Sequence, residues 1–156
     1  MIKNYSIRLG KGIDKVNFGM SMKELQKELG KPDDIEEYTY SKDEISKTFY
    51  YDELGLDFTF ESQDNDRLSY ISVSSEEFHI ANKIRVGTSR ESVVQFISEL
   101  KLSDPEIEDA SSVDLPTHEL FLFEDENLHL WFDNNEITEI QFGPFWEDSK
   151  TVIWEE

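Results

Sequence analysis

Residues 49–60 read FYYDELGLDFTF and residues 121–132 read FLFEDENLHLWF, and these two segments decide the fold prediction. In each, apolar and polar residues alternate on both sides of an acidic stretch, which predicts an antiparallel hairpin with one buried face. Equivalent positions lie 72 residues apart. The apolar positions coincide in five pairs: Phe49 with Phe121, Tyr51 with Phe123, Leu56 with Leu128, Phe58 with Leu130, and Phe60 with Phe132.

The similarity continues on both sides of these hairpins. Upstream, VNFGMSMKELQKEL from Val16 resembles IRVGTSRESVVQFI from Ile84. Downstream, RLSYISV from Arg67 resembles EITEIQF from Glu136. Three blocks in the same order predict an internal repeat. We expect a single domain over 1–156, with repeat one at about 12–77, repeat two at about 80–145 and a C-terminal tail at 146–156.

Each repeat is predicted to be one helix followed by an antiparallel meander. Ser21 with Glu24 is a capping-box pattern, and Gly30 with Pro32 ends the first helix. The second helix is expected to begin at Thr88 or Ser89 and to present a broader apolar face, formed by Val93, Val94, Phe96, Ile97 and Leu100. The predicted strands are about 45–51, 56–61 and 68–73, and then about 118–124, 128–133 and 137–142.

The predicted fold class is therefore α+β. Two tandem helix-plus-antiparallel-meander repeats are expected to join their sheets into one curved sheet, with the helices on one face. Alternation then assigns the two faces of the strands. The inward set is Leu56, Phe58, Phe60, Leu128, Leu130 and Phe132, and the outward set is Asp57, Thr59, Glu61, His129, Trp131 and Asp133, joined by Tyr50 and Tyr70.

Composition limits the class of protein. The 156 residues include no cysteine, which excludes disulfides, thiolate metal sites and a cysteine nucleophile. Aromatic residues make up 13% of the chain, which favours a folded core over disorder. The N-terminal residues contain no apolar run of signal-peptide length, and no segment is long and apolar enough for a membrane span. We therefore expect a cytoplasmic protein.

The charge of the chain is strongly negative and uneven. Thirty-five Asp and Glu oppose 15 Lys and Arg, for a net charge of −20. No Lys or Arg lies between Lys101 and Lys150, where there are fourteen acidic residues. Such a surface repels nucleic acid and anionic membranes and attracts a basic protein. The alternative interpretation is that the acidity only maintains solubility.

No residue pattern indicates catalysis, a cofactor or a metal. The histidines, His79, His118 and His129, show no metal-ligand spacing. Residues 64–66 read DND but lack the glycine and the distant glutamate of a calcium loop, which favours a polar turn. No serine has a nucleophile-elbow context, and no glycine-rich phosphate loop is present. We expect no enzymatic activity and no cofactor.

The segment from Gly19 to Pro32, with the pattern Gly-Met-Ser, Glu-Leu and Leu-Gly-Lys-Pro, resembles the BamE/SmpA-like and β-lactamase-inhibitor-protein-like repeat. The tandem arrangement resembles the inhibitor proteins in particular, where two helix-plus-four-strand repeats join into one sheet that grips a protein. The second repeat has Glu99-Leu100-Lys101-Leu102 where that pattern has Leu-Gly-x-Pro. By type, a small acidic protein without catalytic residues also resembles bacterial toxin immunity proteins.

The function predicted from these observations is a cytosolic immunity or inhibitor protein that occludes a basic, nuclease-like toxin domain. The alternatives are a BamE-like scaffold module and a small-ligand-binding domain. Trp131 is interpreted either as an interface anchor or as a side chain covered by a helix or the tail. The candidate partner-binding residues are Tyr50, Asp57, Glu61, Tyr70, His129, Trp131, Asp133 and Glu139.

Overall fold

The alternating segments of the sequence form the strands of an antiparallel sheet. The computed structural model describes residues 2–146. In chain order, their regular elements are β1 (Ile7–Arg8), β2 (Gly12–Ile13), β3 (Val16–Asn17), α1 (Met22–Leu29), β4 (Asp34–Ser41), β5 (Glu44–Tyr51), β6 (Leu56–Glu61), a 3-10 turn (Ser62–Asp64), β7 (Arg67–Val73), α2 (Arg90–Glu99), β8 (Glu106–Asp109), β9 (Glu119–Phe123), β10 (Leu128–Asp133) and β11 (Glu136–Phe142).

Eight of these strands form one sheet in the order β4-β5-β6-β7-β11-β10-β9-β8, and every neighbouring pair in it is antiparallel. Each half of the sheet is a meander of four consecutive strands preceded by a helix. The halves meet where β7 pairs with β11, with Ser72 opposite Gln141. The shortest strand, β8, and the long strand β4 are the two edges of the sheet.

Helix α1 begins and ends where the sequence predicts. The Ser21 hydroxyl accepts a hydrogen bond from the Glu24 amide, and the Glu24 carboxylate accepts one from the Ser21 amide, both at 3.1 Å. These bonds satisfy amides that have no partner inside the helix. At the other end, Gly30 adopts a φ of 85°, which favours glycine, and its amide donates to Gln26. Leu25 is completely buried.

Helix α2 is capped by Ser89, one of the two residues expected, through a hydrogen bond from the Ser92 amide. Its apolar face is narrower than predicted. Val93 is completely buried, whereas Val94 is 49% exposed because it lies on the side turned away from the core. Phe96, Ile97 and Leu100 are partly buried against the core. The prediction of a broad apolar face was therefore wrong at Val94.

One core lies between the helices and the sheet. The inward-facing residues predicted by alternation are all buried, at 0–1% exposure: Leu56, Phe58, Phe60, Leu128, Leu130 and Phe132. Leu25 and Val93 belong to the same core, so both helices pack on the same side of the sheet. Burying an aliphatic or aromatic side chain stabilises the fold by roughly 1.5–3 kcal/mol. The alternation prediction is confirmed.

Three features of the fold were not predicted from the residue pattern. Strands β4 and β8 are missing from the strand prediction because every residue in them is exposed, so burial does not impose an alternation. The third feature is a small antiparallel sheet of β1, β2 and β3. It extends the core on the helix side, where Phe18 packs edge-on against Phe142 at 5.3 Å between ring centroids.

Candidate functional site

The face of the eight-stranded sheet opposite the helices, here called the outer face, carries a continuous row of side chains across every strand. Directly paired residues point to the same side of a sheet. The row runs Asp34, Tyr50, Asp57, Ser72, Gln141, His129, Leu122 and Glu106, each register-paired with the next. It contains three of the candidate residues predicted from sequence, namely Tyr50, Asp57 and His129.

The other five candidates lie on either side of this row. Trp131 and Glu139 are register partners on one side of it. Tyr70, paired with Thr59, lies on the other side. Glu61 and Asp133 end β6 and β10 at opposite ends of the face, because these two strands run in opposite directions. Asp133 accepts a 2.6 Å hydrogen bond from the Thr117 hydroxyl. All eight side chains thus point to the outer face, and Glu61 and Asp133 are far apart on it.

Trp131 is held in one orientation by its neighbours. Its Nε1 donates a 2.9 Å hydrogen bond to Oε1 of Gln141, whose Nε2 in turn donates to the Ser72 hydroxyl at 3.2 Å. The His118 ring lies 5.1 Å from the Trp131 ring with an angle of 30° between the planes. An aromatic side chain fixed in this way loses little rotamer entropy when a partner covers it.

The half of the outer face around Trp131 is more apolar than predicted. Leu120 pairs with Trp131, and Leu122 pairs with His129. Leu120 is only 6% exposed although it points away from the core, and Leu122 is half-buried. Both were missed because ELFLF (119–123) is a nearly unbroken apolar run in which alternation is hidden. Their partners on β8, Glu106 and Glu108, give this apolar patch an acidic rim.

The other half of the outer face concentrates acidic groups around Asp57. Burial, followed by the charges of Glu139, Asp52 and Glu36, raises the pKa of Asp57 to about 6. Its register partner Tyr50 donates a 2.9 Å hydrogen bond to Glu36. Burial and that bond raise the pKa of Tyr50 to about 12. The tyrosine therefore remains neutral while the carboxylates around it repel one another.

The remaining titratable candidates experience the same environment. Burial raises the pKa of Glu139, which the nearby His118 partly offsets. Burial also lowers the pKa of His129, opposed by the charge of Glu108. The pKa of Glu61 is raised by burial and then by Asp64 and Glu44. A half-buried face thus holds carboxylates whose charged form is disfavoured.

Basic residues are nearly absent from this face. At the strand positions of the outer face within residues 2–146, the single Lys or Arg is Arg67, next to Glu61 at the end of β7. Lys47 lies on the helix side, where it forms an ion pair with Glu37 at 3.7 Å. No hydrogen bond or ion pair joins Asp57 or Glu139 to a Lys or Arg in the described part of the chain.

Tyr70 covers a glycine at the junction of the two halves. A Cβ on Gly143 would lie 2.6 Å from Nδ2 of Asn127, 2.9 Å from the Ser69 carbonyl oxygen and 3.2 Å from the Tyr70 ring. Asn127 is buried and donates to the Pro144 carbonyl at 2.8 Å. Burial is the main cause that raises the pKa of Tyr70, followed by Glu61 and Asp64. Part of this candidate's role is therefore to close the sheet over Gly143.

Two open concavities lie away from the outer face. One, of about 560 Å³, is lined by residues at the start of α2, including Arg90 and Val94. The other, of about 550 Å³, is lined by Ile2, Tyr5, Leu29, Lys31, Asp33, Tyr51, Glu53 and Leu54. Neither includes any of the eight candidate residues.

Within residues 2–146, no three His, Asp or Glu side chains converge in a way that could hold a metal ion. The helices formed by these residues are too short and too polar to span a membrane. Among the aromatic residues near the C-terminus, Phe145 packs over Gly10 and Trp146 is 46% exposed. Trp154 lies outside the described residues.

The geometry defines an acidic, mostly-β protein with one sheet face occupied by its helices and the other lined by aromatic and acidic side chains. The chain belongs to the family described as a domain of unknown function (DUF7738), whose model matches residues 13–112. That match covers the first meander, α2 and β8, and it ends before the strands that carry His129, Trp131 and Glu139. No curated protein matches the chain, and no solved structure matches it.

Proposed function

We propose that this protein binds a basic protein through the outer face of its sheet and blocks that partner without turnover. The observation that carries the proposal is the pair of half-buried carboxylates, Asp57 and Glu139, on a face with almost no basic residue. In the free protein their arrangement is unfavourable, because burial raises the pKa of both carboxyl groups and the charge of Glu139 raises the pKa of Asp57 further. A Lys or Arg from a partner would remove that penalty. Residues that weaken the free fold in this way are typical of binding sites.

The apolar half of the outer face supplies binding energy that charge alone does not provide. Binding energy in protein interfaces concentrates in a few fixed aromatic anchors surrounded by groups that exclude water. Trp131, held by Gln141 and in contact with the His118 ring, has that form, with Leu120 and Leu122 beside it. The surrounding acidic residues would steer a basic partner and increase its association rate by roughly 10–1,000-fold at low salt.

The architecture supports a proposal about ancestry as well. A helix followed by four strands occurs in each half of the sheet, and the halves join edge to edge at β7 and β11. We interpret this as two tandem repeats, over about 12–77 and 80–145, of the type found in β-lactamase-inhibitor-protein-like proteins. In that interpretation the protein acts in the cytoplasm as an immunity protein against a basic toxin domain. A scaffold role on the same face would require a constitutive partner instead.

The test is a binding and inhibition experiment with the product of the neighbouring upstream gene. The protein and that product are purified and mixed at increasing ratios, and the product's toxic or enzymatic activity is measured. We expect inhibition to be complete at one to one. A stable complex without inhibition would favour the scaffold role, and no complex even at low salt would contradict the proposal for that product.

A charge-reversal pair tests the steering argument with a matched control. Replacing Asp133 and Glu139 by Lys should slow association and flatten its salt dependence. The control is Glu91→Lys with Glu99→Lys on α2, which changes the net charge equally on the helix side. If both double variants associate at the same rate, net charge alone explains the attraction and the outer face is not the docking surface.

A further inference from the structure

The edge of the sheet formed by β4 is a second surface whose chemistry specifies what it binds. Strand β4 is eight residues long, is exposed at every position, and within residues 2–146 pairs with β5 alone. An edge strand of this length presents a row of backbone N–H and C=O groups that can pair with another strand. The opposite edge, β8, has four residues and offers about half as many backbone groups for pairing.

Side chains along β4 differ between its two sides. On the outer face, Asp34 and Glu36 are register-paired with Tyr50 and Thr48. On the helix side, Ile35 is paired with the buried Phe49 and remains 49% exposed. Residues of a strand added next to β4 would lie opposite these side chains in turn. Basic residues would therefore suit the outer side of the added strand, and an apolar residue would suit the side next to Ile35.

The end of the β4–β5 hairpin adds an aromatic contact. Tyr38 and Tyr40 are each 61% exposed, and their rings pack against each other with centroids 4.5 Å apart. Exposed aromatic faces attract Lys and Arg side chains. Exposed apolar and aromatic side chains at this edge are thus combined with acidic ones, and the basic residues of the hairpin are Lys42 in its turn and Lys47 on the neighbouring strand.

The acidic side chains of β4 also disfavour pairing of this edge with a second copy of the chain. Acidic residues on an edge oppose pairing between two copies of the chain, since such pairing would bring Asp34, Glu36 and Glu37 of both copies into two neighbouring strands. Because the acidic β4 edge repels acidic strands and attracts basic ones, it is selective for basic strands. We propose that the β4 edge binds an extended segment of a partner protein in which basic and apolar residues alternate, and that the segment adds a ninth strand to the sheet.

The probe is a ten-residue peptide of alternating Lys and Val, added to the full-length protein. Hydrogen–deuterium exchange of the backbone amides at 34–41 is the measurement. We expect exchange there to slow by at least roughly tenfold, because a paired amide exchanges only when the pairing opens. A Lys–Pro alternating peptide of equal length and charge is the control, since proline cannot support strand pairing.

Two matched protein variants locate the effect. Ile35→Lys places a charge on the β4 edge and should abolish the protection. Ile107→Lys makes the same change on the β8 edge, where the isoleucine is similarly exposed at 53% against 49%, and should leave the protection intact. Circular dichroism verifies that both variants fold.

Three results would overturn the proposal: equal protection by the two peptides, protection at 106–109 instead of 34–41, or no protection at about 1 mM peptide, the range of weak binding. The peptide and the exchange signal do not involve Trp131. Trp131→Ala should therefore leave the edge binding unchanged, so the edge and the outer face can fail independently.

Discussion

Removing the charge of Asp57 should stabilise the free protein above pH 6. Burial and three neighbouring carboxylates raise the pKa of Asp57 from 3.8 to about 6. Because the folded-state pKa exceeds the unfolded one, the folded state binds more protons between these values, and stability falls as pH rises from 3.8 through about 6. A tenfold change in proton affinity corresponds to about 1.4 kcal/mol. With a discount for the carboxylate's remaining solvent contact, Asp57→Asn should raise the free energy of unfolding at pH 7.5 by about 1–2 kcal/mol.

Urea denaturation followed by circular dichroism measures this difference at pH values from 7.5 down to 4. The gain in Asp57→Asn should shrink as the pH falls through 6 and be small at pH 4, where the wild-type carboxyl is protonated in the folded state. Asp43→Asn, in the exposed turn between β4 and β5, is the control and should change stability little at any pH. An Asp57→Asn effect that is the same at every pH would refute the electrostatic explanation.

Three further predictions concern partner binding, the junction of the two halves of the sheet, and helix α1. Affinity for the basic partner should decrease as pH falls below about 6, because Asp57 becomes protonated and loses its attraction for a cation; calorimetric titration at pH 5 and 7.5 measures this. Gly143→Ala should lower the free energy of unfolding by about 1–3 kcal/mol, since the added Cβ would meet Asn127 and the Ser69 backbone. A thermal melt measures this loss of stability. Ser21→Ala should cost about 1 kcal/mol by removing the cap of α1, while Ser6→Ala in the N-terminal segment serves as the comparison in the same urea titration.

Much of the fold could be predicted from the local alternation of apolar and polar residues, because burial of one face of a strand imposes that alternation. Leu56, Phe58 and Phe60 alternate with polar residues, and a one-residue slip would expose all three, so pattern and register agree. The capping box at Ser21 and Glu24 is equally local, and it forms as expected. Elements that bury nothing carry no such signal. This is why β4 and β8, which are stabilised by pairing with a neighbour and not by a buried face, had to be observed in the structure.

The candidate site, too, could be predicted from the sequence only in part. Alternation was sufficient to predict that Asp57, His129 and Trp131 point outward. It could not show that Asp57 and Glu139, on strands separated by β7, come close enough to influence each other, because that depends on how the halves join. The Gln141 bond that fixes Trp131, and the apolar patch of Leu120 and Leu122, also depend on pairing between distant strands.

The proposed duplication gives a reason for the difference between the two halves of the outer face. At an offset of 72, inward positions match in character, as Phe58 does with Leu130, because the shared core constrains both halves. Outward positions match less well, since Asp57 corresponds to His129 and Tyr50 corresponds to Leu122, although Glu61 corresponds to the acidic Asp133. Solubility would be served equally well by similar acidic residues in both halves. Divergence into an acidic cluster around Asp57 and an apolar patch around Trp131 is what a single partner with a basic region beside an apolar one would require, and the pH and charge-reversal experiments test that requirement directly.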